Sequence, residues 1–220
     1  MKQLGIFAKY WQAGAVKTRL ARAIGADAAS ELYRVFVETL LLRFQAVADR
    51  RALCYWPPQR QGEFAALAGS AWTLDQQSDG QLGHRMSCFF DKSLNAGYTR
   101  TVLIGSDSPT LPGDYLDRAF RLLRTHSVVL GPTSDGGYYL VGAAGEVPPI
   151  FENVAWSTPR VWQQTVAALH DAAIPFAELP PWYDIDEKQD LTRLREELVE
   201  LARKSPVWRE LFQAVGKVRP

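Results

Sequence analysis

The sequence has few of the residues from which disulfide frameworks and zinc sites are built. It contains two cysteines, Cys54 and Cys88, and three histidines among 220 residues. The cysteines form no CxxC pair and the histidines lack metal-ligand spacing, so neither kind of site is predicted. An HExxH pattern and a nucleophile elbow are also absent. We therefore expect a protein of a reducing compartment, the cytoplasm.

The sequence also lacks an excess of one charge and long apolar runs. Twenty-five Lys and Arg face 24 Asp and Glu, a net charge of +1, which gives no reason to expect nucleic acid or an anionic membrane as a partner. No stretch approaches the roughly 18 apolar residues of a membrane span, and the N-terminal apolar run is too short for a signal peptide. With 47% apolar residues, we expect one folded domain over 1–220. The oligomeric state stays open.

Strand-like and helix-like segments alternate along the chain. Strands are predicted at 4–8, 52–56, 101–104, 128–130, 138–141 and 176–179, and helices at 28–47, 85–95, from Pro112, 159–172 and 190–204, with 205–220 as a C-terminal helical extension. Such alternation predicts an α/β fold with a mostly parallel central sheet and helices on both faces. Thr101–Ile104 is apolar on both faces, so we expect it to be central and buried. Ligand chemistry is expected at the carboxyl ends of the strands.

A basic segment follows the first predicted strand. Lys9, Lys17 and Arg19 lie within eleven residues, with Gly14 between them. Together with the amides of a helix start, these cations could wrap a polyphosphate. The segment matches neither a Walker A loop nor GxGxxG. The alternative is a solvated loop with three ordinary cations. Trp11 in this loop could stack on a base, although the other tryptophans are more typical of a core.

Acidic residues follow two later strands. Asp107 stands just after the strongest strand, where a carboxylate can hold a hard divalent cation, or it caps the helix that begins near Pro112. Asp184 and Asp186 lie two residues apart and so on one face of an extended chain. One of them could complete a metal site with Asp107. In the alternative, Asp186 and Asp190 cap the following helix.

A glycine-rich segment connects two predicted strands. Asp135 is followed by Gly136 and Gly137. Two glycines permit close approach of the backbone to a ligand. They equally permit a tight turn, which is the more common explanation.

Six segments together are similar to those of a known family. They are FAKxxxxGxVKTRL at 7–20, QxxGxLGxRM at 77–86, GSDSPTL at 105–111, LGPTSDGGYYLVG at 130–142, VAWST at 154–158 and DIDEKQDL at 184–191. In order and spacing the chain resembles the bacterial radical-SAM/selenodomain-associated transferases, within the nucleotide-diphospho-sugar transferase (GT-A) superfamily. Gln81 and His84 depart from the family pattern, which has acidic residues in that loop.

The resemblance implies a single-domain GT-A fold and one of two reactions. One is the nucleotidyl transfer of molybdopterin and phospholactate guanylyltransferases. Lys17-Thr18-Arg19-Leu20 resembles the KSRL of the phospholactate enzymes, and Asp107-Ser108-Pro109 resembles their D-x-P. The 184–191 segment resembles the end motif of several nucleotidyltransferases. A glycosyltransferase would more typically show DxD after the central strand, where this chain has Pro109 at the second acidic position. The resemblance thus favours nucleotidyl transfer over glycosyl transfer. A non-catalytic nucleotide-binding module is a third possibility, because fold does not fix function.

The resemblance also implies roles for individual residues. Lys17, Asp107 and Asp186 are expected to be catalytic, with Asp107 and Asp186 holding Mg²⁺ or Mn²⁺. The expected partners are a nucleotide and a small-molecule acceptor. Nucleotide or phosphate binding is expected of Lys9, Gly14, Lys17, Thr18, Arg19, Gly83, Arg85 and Ser106, and acceptor binding of Asp135, Gly136 and Gly137.

Overall fold

Seven strands form one sheet in the computed structural model, which describes residues 1–218. The strands are β1 (Lys2–Lys9), β2 (Arg50–Trp56), β3 (Thr73–Gln76), β4 (Arg100–Ile104), β5 (Val128–Pro132), β6 (Tyr138–Ala144) and β7 (Phe176–Glu178). Their order is β3-β2-β1-β4-β6-β5-β7. Every pair is parallel except the two that β6 makes, with β4 and β5. The predicted α/β class with a mostly parallel sheet is confirmed.

Eight α-helices surround the sheet. They are α1 (Thr18–Ile24), α2 (Ala26–Arg43), α3 (Gln61–Ala68), α4 (Leu82–Asn95), α5 (Gly113–Leu122), α6 (Val161–Asp171), α7 (Lys188–Leu201) and α8 (Pro206–Lys217). Alternate strand side chains point to opposite faces. One face packs against α2, α3 and α5, and the other against α4 and α6. Helices therefore cover both faces, as the alternation predicts.

β4 is the fourth of the seven strands and lies between β1 and β6. Its residues Thr101, Val102, Leu103 and Ile104 are all buried, which confirms that this strand is central. Because β6 runs antiparallel, its first residue lies at the same edge as the carboxyl ends of β4 and β5. The connection between β5 and β6 is thereby brought to the edge where the loops after β1 and β4 also emerge.

The structure differs from the expected elements most clearly in two places. The helix expected over 28–47 ends at Arg43. The segment between β2 and β4, for which only the helix at 85–95 is predicted, also contains α3 and the short strand β3. β3 has only four residues and a single buried one, Asp75, so its sequence carries no apolar strand pattern.

The C-terminal extension is a helix that belongs to the core. Leu211 and Val215 of α8 are fully buried, in a cluster that includes Leu20 of α1, Phe36 of α2 and Leu194 of α7. Of the predicted extension 205–220, residues 219–220 lie outside the described part of the chain. None of the helices within residues 1–218 combines the length and the apolar character needed to cross a bilayer.

Candidate active site

A wide cleft opens at the carboxyl edge of the sheet. Its volume is about 1550 Å³, larger than the roughly 300–1,000 Å³ typical of a site for one small molecule. Of the residues singled out from the sequence, those that line it are Lys9, Lys17, Thr18, Arg19, Arg85, Ser106, Asp107, Asp135, Gly137, Asp184 and Asp186.

Lys17 lies at the centre of the charged part of the cleft. It precedes α1 with a left-handed backbone, φ 49° and ψ 41°, and its side chain is 2% exposed. The ammonium contacts a carboxylate oxygen of Asp107 and lies 3.0 Å from Asp186 Oδ1. Burial alone would lower the pKa of Lys17, but the negative charges of Asp107 and Asp186 outweigh it, so the pKa is raised. Lys17 is therefore a permanent buried cation.

Asp186 bridges two cations of the basic segment. Its Oδ1 accepts from Lys17 Nζ, and its Oδ2 accepts from Arg19 Nη2 at 2.6 Å. The start of α7 is satisfied by a capping box of Glu187 and Asp190. Asp190 Oδ2 accepts from the backbone N–H groups of Asp186 and Glu187 at 3.0 and 2.8 Å. Capping thus belongs to Glu187 and Asp190 and not to the side chain of Asp186, which faces the cleft.

Asp107 follows β4 and does not cap a helix. The residue at the start of α5 is Pro112, without a side-chain cap. Asp107 is held through its backbone instead, because its carbonyl accepts from Ile185 N–H at 3.0 Å. Its side chain is 42% exposed. The alternative of a helix cap at Asp107 is wrong.

Two carboxylates of the cleft have the chemistry that a divalent cation requires. No group of three or more Asp, Glu, His or Cys side chains suited to a metal is found within residues 1–218. Mg²⁺, however, usually takes one or two carboxylates and completes its shell with water and substrate phosphates. Asp107 and Asp186 already share one cationic centre, the Lys17 ammonium. The carboxylates of Asp107 and Asp186 therefore have the ligand type and the position that a divalent cation requires, provided that Lys17 moves away from one of them.

Asp184 is a partly buried carboxyl that also lines the cleft. Ser108 Oγ donates to Asp184 Oδ1 at 2.5 Å. Burial, followed by the negative charge of Asp107, raises the pKa of Asp184 to about 7. Ser108 was not singled out from the sequence, and its place one residue after Asp107 in the GSDSPTL segment is the available signal.

Tyr33 of α2 forms part of the cleft wall and was also missed. Its hydroxyl lies 2.6 Å from Ser106 Oγ and accepts from Lys9 N–H at 3.1 Å. It therefore connects the end of β1 to the loop after β4. Burial raises the pKa of Tyr33 to about 12. In the sequence this tyrosine is hidden within the apolar pattern of α2.

The remaining phosphate-binding candidates differ in their surroundings. Arg85 donates from Nε to the Gly80 carbonyl at 2.8 Å and lies over the Trp56 ring, 4.3 Å from its centroid. Gly14 has φ +78° and lies off the cleft lining. Trp11 also lies off the lining and packs against Phe64, with ring centroids 5.2 Å apart. The stacking of a base on Trp11 therefore has no support in the structure.

Two of the predicted ligand-binding glycines instead pack against protein. A side chain at Gly83 would overlap the Phe151 carbonyl oxygen and the Trp156 indole nitrogen, and one at Gly136 would overlap the Pro159 carbonyl oxygen. Neither glycine lines the cleft. Gly136 also has φ +88°, as tight turns require. Close approach within the protein explains both residues, in place of close approach to a ligand.

Asp135 is engaged in the same turn. Its Oδ1 accepts from Thr133 Oγ1 at 2.5 Å and from Gly137 N–H at 3.2 Å. The tight-turn interpretation of residues 133–137 therefore holds. Asp135 and Gly137 nevertheless face the cleft, and their role with an acceptor stays a prediction.

Residues 40–158 match the model of a family, DUF2064, described as an uncharacterized protein conserved in bacteria. The match covers more than half of the chain. The chain belongs to this family. The matched part contains Asp107 and Asp135, whereas Lys17 and Asp186 lie outside it.

Two relatives extend the comparison. A 3-phospho-D-glycerate guanylyltransferase of Phenylobacterium zucineum (strain HLK1) is 35% identical over 105 residues, 47% of this chain and 48% of the relative. The alignment thus spans about half the length of that relative. The crystal structure of a candidate nucleotide-diphospho-sugar transferase of Desulfovibrio desulfuricans G20 matches with TM-score 0.88 and 31% identity, over 98% of this chain and 97% of that one.

A more distant solved structure shares the fold alone. CMP:2-keto-3-deoxy-manno-octonic acid synthetase complexed with CTP matches with TM-score 0.60 and 11% identity, over 91% of this chain and 99% of the synthetase. The fold is that of nucleotide-diphospho-sugar transferases and nucleotidyltransferases, as the sequence motifs predict.

Proposed function

We propose that the protein is a nucleotidyltransferase that moves a nucleotidyl group from a nucleoside triphosphate to a small phosphorylated or hydroxyl acceptor and releases pyrophosphate. The observation that carries the proposal is the Lys17 ammonium held between Asp107 and Asp186 at the carboxyl end of β4. The partial likeness to a guanylyltransferase supports the same class of reaction. In enzyme nomenclature this is class 2.7.7.

The basic segment is proposed to hold the triphosphate. Lys9, Lys17 and Arg19 all line the cleft, at the end of β1 and the start of α1. The amide groups of a helix start favour anions as well, and Thr18 stands at the first position of α1. Ser106 and Arg85 line the cleft nearby. Charge-assisted contacts of this kind are the strong ones for phosphate.

Mg²⁺ or Mn²⁺ is proposed as the cofactor, with Asp107 and Asp186 as the residues that would hold it. When bound, such an ion neutralises charge that develops on the phosphoryl oxygens. The cationic side chains of the protein act on the phosphates of the leaving group. Lys17 and Arg19 hold the phosphates that leave, and the carboxylate of Asp186 fixes the direction of both cationic groups.

The reaction itself needs no nucleophile from the protein. An acceptor oxygen attacks the α-phosphorus in line, a new P–O bond forms, and the bond to the β-phosphate oxygen breaks with its electron pair on pyrophosphate. Catalysis then depends on positioning and on preorganised charge. The acceptor is proposed to lie beside Asp135 and Gly137, where the connection between β5 and β6 lines the cleft.

Glycosyl transfer from a nucleotide-diphospho-sugar is the second candidate function. It is favoured by the likeness to the Desulfovibrio protein over nearly the whole chain. Both reactions place a diphosphate near Lys17, and they differ in the bond that breaks. Glycosyl transfer consumes the sugar nucleotide and releases no pyrophosphate.

Two finer expectations also stand as proposals. The link to the radical-SAM/selenodomain-associated transferases rests on the sequence motifs quoted above. The cytoplasmic location rests on the scarcity of cysteine. Cys54 and Cys88 are both free thiols in the structure.

The deciding experiment combines binding with product detection. Nucleoside triphosphates and nucleotide-diphospho-sugars are screened by thermal shift with Mg²⁺ or Mn²⁺, because a ligand that binds the folded state raises the melting temperature. Pyrophosphate release is then measured with the nucleotides that bind. A double variant, Lys17→Ala with Arg19→Ala, should lose the shift and its dependence on salt. Lys188→Ala, an exposed cation outside the cleft lining, is the matched control. Equal shifts for the double variant and the control would refute the proposal.

A further inference from the structure

The two sides of the cleft differ in charge. We define the cation side as residues 9–19 with the end of β1, and the hairpin side as residues 135–141 with the segment 154–161. Lys9, Lys17 and Arg19 all belong to the cation side. Among the described residues that line the hairpin side, none is Lys or Arg, and the single ionisable acid is Asp135.

Two arginines from outside the lining of the hairpin side, Arg85 and Arg160, have other surroundings. Arg85 lines the cleft, but its guanidinium lies over Trp56 at the end of β2 and is bonded to the Gly80 carbonyl. Arg160 belongs to the segment 154–161 and is exposed, yet it is not part of the cleft lining. A phosphate or carboxylate beside Asp135 would therefore find no lysine or arginine among the residues that line the hairpin side.

The groups that the hairpin side does offer suit a neutral molecule. Trp156 lines the cleft and lies edge-on to Tyr138, with ring centroids 6.2 Å apart and planes at 90°. Gly83 leaves room for the Trp156 indole against α4. Asp135 Oδ1 is occupied by Thr133 and Gly137, and an ionised carboxylate has further acceptor sites for hydroxyl donors.

The loop that carries Trp156 is held in place by α6. Ala155 N–H donates to Gln164 Oε1 at 2.8 Å, and Thr158 Oγ1 donates to the Ala155 carbonyl at 2.7 Å. Ser157, next to the tryptophan, has φ +63°, an unfavourable backbone for a serine. Strained residues persist where surrounding contacts determine the geometry, and such sites are often functional. The indole is thus presented to the cleft on a fixed loop.

We infer that the second substrate is a neutral hydroxyl compound with a ring or other apolar face. This face lies on Trp156, and a hydroxyl group of the compound donates a hydrogen bond to the carboxylate of Asp135. The inference rests on the proposed function and narrows its acceptor from a phosphorylated or hydroxyl compound to an uncharged one. The attacking hydroxyl oxygen forms the bond to the α-phosphorus, pyrophosphate leaves with the electron pair of the broken bond, and the hydroxyl proton passes to water.

The test compares neutral compounds with their own phosphate esters. Binding of glucose against glucose 6-phosphate, and of inositol against inositol 1-phosphate, is measured by saturation-transfer NMR on the full chain, with 3-phospho-D-glycerate as a further anion. Inorganic pyrophosphate in excess occupies the cation side, so that esters cannot gain affinity from Lys17 and Arg19. We expect a neutral member to bind at least about tenfold more tightly than its ester, a difference of about 1.4 kcal/mol.

Three variants sharpen the outcome. Asp135→Lys should reverse the preference in favour of the ester, because it replaces the acid by a cation. Trp156→Ala should weaken neutral binding about tenfold, whereas Trp11→Ala, outside the lining, should not. Tighter binding of the esters to the unaltered protein, or no binding of either neutral compound, overturns the inference. If no nucleotide binds but the neutral compounds still do, the proposed function is refuted. The assignment of the hairpin side to a neutral compound then stands.

Discussion

Asp107 and Asp135 stand in similar sequence surroundings but have different tasks. Each follows a strand of the sheet and lies within two residues of a glycine. The carboxylate of Asp107 contacts Lys17, 90 positions earlier in the chain. The carboxylate of Asp135 accepts from Thr133 and Gly137, each two positions away. The Asp107 side chain therefore links elements that are distant in the chain, whereas the Asp135 side chain stabilises the turn that contains it.

The comparison separates an acid that is paired with a cation from a distant element from an acid whose Oδ1 is held by its own turn. A carboxylate within a turn accepts hydrogen bonds from neighbouring donors. For the stability of the turn, its oxygen atom therefore matters more than its charge. An acid paired with a buried cation from another element holds a charge where a ligand can meet it. Variants that remove charge while keeping shape separate the two cases.

The largest effect is expected for Lys17→Met. The change leaves Asp107 and Asp186 without their shared cation and removes the contact that we propose Lys17 makes with phosphate. Turnover, measured as pyrophosphate release, should fall at least about 100-fold, or about 2.7 kcal/mol of transition-state stabilisation. Lys188→Met is the control with no expected loss. A Lys17→Met protein that is folded and turns over normally would mean that the central cation has no catalytic part.

The second largest effect is expected for Asp107→Asn. Asparagine keeps the size of the side chain but removes the charge that would hold a divalent ion. Turnover should fall by one to two orders of magnitude, roughly 1.4–2.7 kcal/mol. The fold should survive, because the Asp107 side chain is 42% exposed. Activity that persists after chelation of divalent ions would contradict the proposed metal role.

Much of the framework of the site can be predicted from the sequence. The alternation of segments predicts the parallel strands, and the rule that ligands bind at carboxyl ends brings the loops after β1 and β4 together. The convergence of Asp107 and Asp186 follows from the same reasoning and is seen in their shared contact with Lys17. The burial of β4 follows from its apolar residues on both faces.

The unpredicted parts depend on contacts between elements distant in the chain. Tyr33 has the spacing of a core residue of α2, and only the fold reveals that its hydroxyl reaches Ser106. Gly83 looks like a loop glycine until Trp156 is placed against it. The four residues of β3 contain no apolar alternation, because edge strands need little burial.

A third prediction concerns Tyr33 and alkaline pH. The folded pKa of Tyr33, about 12, lies above the ordinary value of 10.0, so the folded state keeps a proton that the unfolded state loses. The resulting stability is present below pH 10 and is lost as the pH rises from 10 to 12. Tyr33→Phe should therefore show a shallower fall in the free energy of unfolding over this range. It should also cost about 1 kcal/mol at neutral pH through lost hydrogen bonds. Denaturant titrations at pH 7, 10 and 11 measure both, and parallel curves for the two proteins would be inconsistent with a raised pKa at Tyr33.

The smallest effect is expected for substitutions of Asp135, and it is an effect on the free energy of unfolding. These substitutions complete the comparison with Asp107. If the stabilising feature of Asp135 is its Oδ1 acceptor, Asp135→Asn should keep the bonds to Thr133 and Gly137 and change the free energy of unfolding by less than about 0.5 kcal/mol. Asp135→Ala removes the acceptor and should cost about 1 kcal/mol, which lowers the melting temperature by about 2–4 °C in a chain of this size. Thermal unfolding of the two variants beside the unaltered protein makes the measurement. Equal losses for Asn and Ala would show that the charge of Asp135, and not its place in the turn, stabilises the hairpin.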